Sequence, residues 1–122
     1  MRRIAIASVL LLGTAGSSAA EPPLPISSGR YEFGHRFAEY PNIISSTKFI
    51  AIIDGYHITL TNEGRTDVFP AGLIEEGTLM WHEPSQQWII GSVESDRESR
   101  DVGGCSDGPR VVDLMQRVYW TC

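Results

Sequence analysis

Residues 77–91 read Gly77-Thr-Leu-Met-Trp81-His82-Glu83-Pro84-Ser-Gln-Gln87-Trp88-Ile-Ile-Gly91, two apolar arms around a polar centre, each arm with one tryptophan. Runs of β-branched and aromatic residues bounded by Gly and Pro predict strands, so this stretch is a β-hairpin. Pro84 suits the second position of a type I turn and cannot supply the positive φ of a two-residue hairpin turn. The loop is therefore three or four residues long. A three-residue loop, Pro84 to Gln86, pairs Trp88 with His82 and sends Trp81 to the other face. A four-residue loop, Pro84 to Gln87, pairs Trp88 with Glu83 and sets both tryptophans on one face.

The arms are apolar on both faces, with Leu79 and Trp81 against Met80, and Ile89 against Ile90. A barrel interior needs only one face. The other face is then either a partner or dimer surface, or ground covered by a loop or terminal segment. Trp81, Trp88 and His82 are the residues this hairpin offers for binding a ligand or partner.

Working outward, Tyr31, Phe33, His35 and Phe37 alternate with Arg30, Glu32, Gly34 and Arg36, a half-buried strand. Pro41-Asn42 ends it, although His35 to Tyr40 could instead turn helically. Thr47 to Ile53 is an almost wholly apolar strand, expected in the centre of the sheet. Asp54-Gly55 is the strongest short hairpin signal, and Tyr56 to Asn62 returns. In that return Tyr56, Ile58 and Leu60 share one face. Arg65 to Phe69 reads as a short edge strand, Leu73-Ile74 as a brief segment, and Glu75-Glu76-Gly77 as a solvated turn. Arg110 to Leu114 and Val118 to Thr121 form one bent strand or two short ones. No amphipathic stretch of helical period lasts ten residues.

The fold class that follows is all-β: a small antiparallel meander of seven or eight strands, closed as an up-and-down barrel or folded as a two-sheet sandwich. In layout such a barrel resembles the lipocalin-like ones. The likeness is architectural and rests on no diagnostic motif.

The chain has 122 residues. Arg2 and Arg3, the apolar run Ile4 to Gly13 and the small residues ending Ser18-Ala19-Ala20 make residues 1–20 a signal peptide. Residues 21–28 are an extended proline-rich leader with little packing, and 29–122 one domain. Without Arg2 and Arg3 the 10 basic residues fall to 8 against 15 acidic ones, a net charge of −7. That sign repels nucleic acid and anionic headgroups. No later apolar run reaches membrane-spanning length. The expected location is periplasmic or secreted, where Cys105 and Cys122 would pair as a disulfide.

The chemistry-bearing residues make no familiar pattern. His35, His57 and His82 fall one per strand, with no ligand spacing, so neither a metal site nor a cofactor is expected. His35 reads as a partly buried histidine with a local hydrogen bond, and His57 and His82 as solvent-facing. Glu75 and Glu76 are adjacent and so point to opposite faces of a strand. No nucleophile elbow or phosphate-cradling loop is present. The segment Glu94 to Pro109 is polar, glycine-rich and long enough to be functional or mobile. The leading expectation is an exported, non-enzymatic binding module for a protein partner or a small apolar ligand. One version is an inhibitor of a secreted or host hydrolase, inserting the disulfide-pinned segment into a cleft. The alternative is a small hydrolase-type enzyme using the scattered histidines and carboxylates. Oligomeric state has no signature in the sequence.

Overall fold

A computed structural model describes residues 21–64 and 69–122. The signal peptide expected on 1–20 and most of the edge strand expected at Arg65 to Phe69 lie outside the described residues. Seven strands follow in order: β1 (Gly29–Phe37), β2 (Phe49–Asp54), β3 (His57–Asn62), β4 (Gly72–His82), β5 (Gln87–Gly91), β6 (Arg110–Asp113) and β7 (Val118–Thr121). They close a barrel in sequence order. Each sequential pair is antiparallel, as a meander requires, but β1 and β7 pair in parallel through Gly34↔Val118 to Phe37↔Thr121. The parity of the strand count dictates this. In an up-and-down chain of seven strands the first and last run the same way, so only a parallel ladder can close the ring.

Alternation sorts the side chains. Phe33 and His35 of β1, Phe49, Ala51 and Ile53 of β2, and Ile58, Leu60 and Asn62 of β3 are buried inside the barrel. Leu79, Trp88, Ile90, Val112 and Tyr119 complete the core from the other strands. Ile52 points outward and is 40% exposed, so β2 is buried on one side only, contrary to the expectation from its apolar run. Tyr56 is exposed rather than sharing a face with Ile58, because the hairpin turn centres on Gly55-Tyr56, with Asp54 paired to His57. Gly55 takes φ 61°, the positive value that this first turn position needs.

β4 is one continuous strand of 11 residues. It absorbs both the Leu73-Ile74 segment and the Glu75-Glu76 turn expected from sequence. A register shift opposite Leu60 and Thr61 of β3 accommodates it. The opening hairpin pairs Trp81 with Trp88 and His82 with Gln87. Its loop is thus Glu83 to Gln86, four residues long but one residue earlier than Pro84 to Gln87. The shift is local chemistry: Gln86 adopts φ 57° and its N–H bonds the Glu83 carbonyl at 3.2 Å. Both tryptophans share the inner face, and neither expected pairing, with His82 or with Glu83, occurs.

The short turns all lie at one end of the barrel and the long connections at the other. The leader closes the short-turn end. Leu24 and Ile26 pack against the core, and the Tyr31 hydroxyl donates to the Ser27 carbonyl at 2.7 Å. Glu21 accepts from Arg97 at 2.8 Å. The leader is therefore packed, because its two aliphatic residues have barrel core to cover.

The outer apolar face of the hairpin is covered as well. Met80, Ile89 and Val111 are buried outside the barrel, with Val102 and Trp120 against them. The segment Glu94 to Pro109, which starts as a short 3-10 turn (Glu94–Glu98), folds back over this ground. Its return is tight at Gly108, where a Cβ would run into the Asp101 carbonyl. Cys105 and Cys122 stand at disulfide distance, Cα to Cα 4.5 Å, and tie this cover to the end of β7.

Candidate functional site

The site begins with a gap in hydrogen bonding. β4 and β5 pair all the way to His82↔Gln87, whereas β5 and β6 pair only through Ile89↔Val111 and Ile90↔Arg110. Past Ile89 the two strands diverge, leaving Trp88 and Gln87 with no ladder partner on β6. Into that gap opens a cleft of about 500 Å³, within the range of small-molecule sites. Trp81, Trp88 and Trp120 line it, with Val111, Val112, Leu114 and Met115. Pro22, Pro23 and Pro25 of the leader form a further wall, and Gln86, Gln87 and Asp113 supply the polar groups.

Trp81 and Trp88 meet edge to face, ring centroids 5.5 Å apart. The Trp81 indole N–H donates to Glu83 at 2.7 Å, which fixes its ring. Among the described residues no acceptor reaches the indole N–H of Trp88 or Trp120. Trp120 arrives from β7 on the outer face, beside Tyr119 on the inner one. Sequence reading named Trp81 and Trp88 but missed Trp120, the leader prolines and Met115. Only the divergence of β5 from β6 brings inner-face and outer-face residues to one opening, and no local pattern encodes that divergence.

His82 does not line the cleft. It is buried on the outer face, 1% exposed, beneath the Glu94 to Pro109 segment. Its Nε2 lies 2.7 Å from the Ser99 carbonyl, which can only accept, so Nε2 carries the proton. Nδ1 then accepts from Ser85 Oγ at 2.7 Å. The histidine expected to face solvent is instead a pin between hairpin loop and cover. His35 sits inside the barrel, 2% exposed, between Ser45 Oγ at 2.9 Å and Thr121 Oγ1 at 2.8 Å. Burial pushes its pKa down. His57 lies outside, 3.4 Å from Glu76 in an exposed pair that contributes about 1 kcal/mol at most. Each histidine thus has its own partners, and the depression lined by His35 includes neither His57 nor His82.

Two coupled groups with shifted pKa values sit inside the barrel near the long-connection end. Glu75 points inward from β4 and accepts a hydrogen bond from the Tyr119 hydroxyl. Burial raises the Glu75 pKa, opposed by the Tyr119 bond and the Arg110 charge. Burial and the neighbouring Glu75 also push the Tyr119 phenol above its ordinary value. Arg110 and Tyr119 line a recess of about 390 Å³ with Ile74 and Thr121. Sequence reading placed Glu75 in a solvated turn. The inward alternation Glu75, Gly77, Leu79 was the signal that could have placed it inside.

Glu39, Cys105 and Cys122 bring ligand-type atoms within 4.8 Å of one another. Sulfurs at disulfide distance are bonded to each other and offer no thiolate, so this cluster is a carboxylate resting against a bridge. The bridge is compatible with an oxidising, exported location. Among the described residues no helix is long and apolar enough to cross a membrane. No family model matches the chain, and neither a curated protein nor a solved structure matches it.

Proposed function

We propose that the chain is an exported, non-enzymatic binding module whose ligand site is the tryptophan cleft between β5 and β6. The observation that carries this reading is the convergence of all three tryptophans on one opening, from two faces of the barrel. Aromatic and aliphatic walls with a few polar groups are the usual make-up of a ligand pocket. Two features of the molecule support a binder over a hydrolase built on histidines. The three histidines are held apart by separate partners, and His82 has both ring nitrogens occupied. The inhibitor version draws less support, because the segment it would insert into a target is folded onto Met80, Ile89 and Val111.

The test uses N-phenyl-1-naphthylamine, a neutral apolar dye that brightens when it leaves water. Saturable brightening with one site per chain is expected, with energy transfer from the tryptophans. Trp120→Ala should weaken binding while circular dichroism stays native. Unsaturable binding, or binding indifferent to Trp120→Ala, refutes the assignment of the cleft.

A further inference from the structure

The cleft has a charge character as well as an apolar one. Among the described residues Asp113 is the only charged one lining it, and no cation does. Asp113 holds its place by accepting the backbone N–H groups of Met115 at 3.0 Å and Gln116 at 2.8 Å. Glu83, through its bond to the Trp81 indole, adds a second carboxylate beside the aromatic wall. Neither carboxylate joins an ion pair among the described residues. Arg97 is paired with Glu21 and Glu94, and the Arg117 guanidinium of the β6–β7 turn stands over the Tyr31 ring, 4.7 Å from its centroid.

Three indoles, two carboxylates without an ion pair and, among the described lining residues, no cation form a site suited to a positive partner. Aromatic faces attract cations through their quadrupole, most strongly with tryptophan and when water is excluded. The cation must also lose water cheaply. An ammonium or guanidinium carries three to five N–H donors that need acceptors. Asp113 Oδ1 accepts both backbone N–H groups and Glu83 Oε2 the indole, which leaves the other oxygen of each carboxylate open to a cation. A quaternary ammonium has no N–H to satisfy and presents methyl groups to the aromatic walls.

We infer that the cleft between β5 and β6 takes a small organic cation of the ammonium class, quaternary ammonium included, carried on an apolar body. The inference rests on the cleft being the ligand site and adds the charge of the ligand. The apolar body fits against Val112, Leu114 and Met115, and the cationic head sits by the tryptophans with Asp113 behind it. The chain's acidic surface would also favour approach of a positive ligand.

The experiment compares three benzyl probes on the full exported chain by calorimetry and tryptophan fluorescence. They are benzyltrimethylammonium, its neutral carbon isostere neopentylbenzene, and the anion phenylacetate. The cation should bind about tenfold or more tighter than the isostere, quench tryptophan emission and weaken in high salt. Phenylacetate should not bind. Asp113→Asn keeps the acceptor for Met115 and Gln116 but removes the charge. It should weaken the cation several-fold and leave the isostere unchanged. Equal binding of cation and isostere, or an Asp113→Asn variant with unchanged cation affinity, overturns the inference while the cleft remains a ligand site. Failure of all three probes also overturns it, and the dye experiment then decides separately whether the cleft binds at all.

Discussion

Replacing Trp88 by alanine should destabilise the chain by about 3 kcal/mol, and replacing Trp81 should cost about half as much. Trp88 is 7% exposed and belongs to the inner core. A large aromatic buries roughly 150–250 Å², which at about 25 cal/mol per Å² is about 4–6 kcal/mol as an upper bound. Truncations of Phe or Trp in cores fall at about 3–5 kcal/mol. Here the lower end applies, because the space vacated by Trp88 joins an existing cleft and fills with water instead of staying empty. Trp81 is only half-buried, and what it loses is the edge-to-face contact with Trp88 and the Glu83 bond. A double-mutant cycle should recover about 0.5–1.5 kcal/mol of coupling between the two rings. Urea melts measure all of this. With m near 1 kcal/mol per molar for a small domain, the Trp88→Ala midpoint should fall by about 3 M. A loss under about 0.5 kcal/mol for Trp88→Ala would place that ring in solvent and refute the register Trp81↔Trp88. A larger loss for Trp81 than for Trp88 would refute the assignment of which ring is core.

Further expectations concern the bridge and the barrel interior. Replacing Cys105 and Cys122 together by serine opens a loop of 17 residues, which chain-entropy reasoning values at about 3 kcal/mol. A urea midpoint unchanged by the double variant would show that the bridge constrains nothing in the unfolded chain. Two interior groups give opposite pH slopes. His35 has its folded pKa lowered, so its contribution is present above pH ~6.5 and is lost as pH falls below that value. Glu75 has its folded pKa raised, so its contribution is present below pH ~4.5 and is lost as pH rises through the folded value. On acidification from pH 7 towards 4.5, Glu75→Gln should steepen the loss of stability, and His35→Asn should flatten or reverse it. Parallel midpoint curves for the three proteins would contradict both burials.

Local sequence determined the strands, because alternation with a period of two and the chemistry of Gly, Pro and Asp act within a few residues. The β1 alternation of Tyr31 to Phe37, the hairpin around Gly55 and the hairpin of Trp81 and Trp88 all follow from such short-range signals. So does the all-β meander, since each strand pairs with the next across a turn or connection. The bridge between Cys105 and Cys122 was also legible, as the only pairing two cysteines allow. Tertiary structure alone decided the rest. Parallel closure of β1 on β7 depends on the total strand count. The place of Glu75 inside the barrel depends on β4 running unbroken through a segment whose composition favours a turn. His82 is buried because a segment more than ten residues further along folds over it. The cleft exists because β6 pairs with β5 through only two residues, while its Val112 and Asp113 pair with β7. One residue of register in the loop Glu83 to Gln86 decided which side both tryptophans face, and the energies that choose between such registers come from the core they enter.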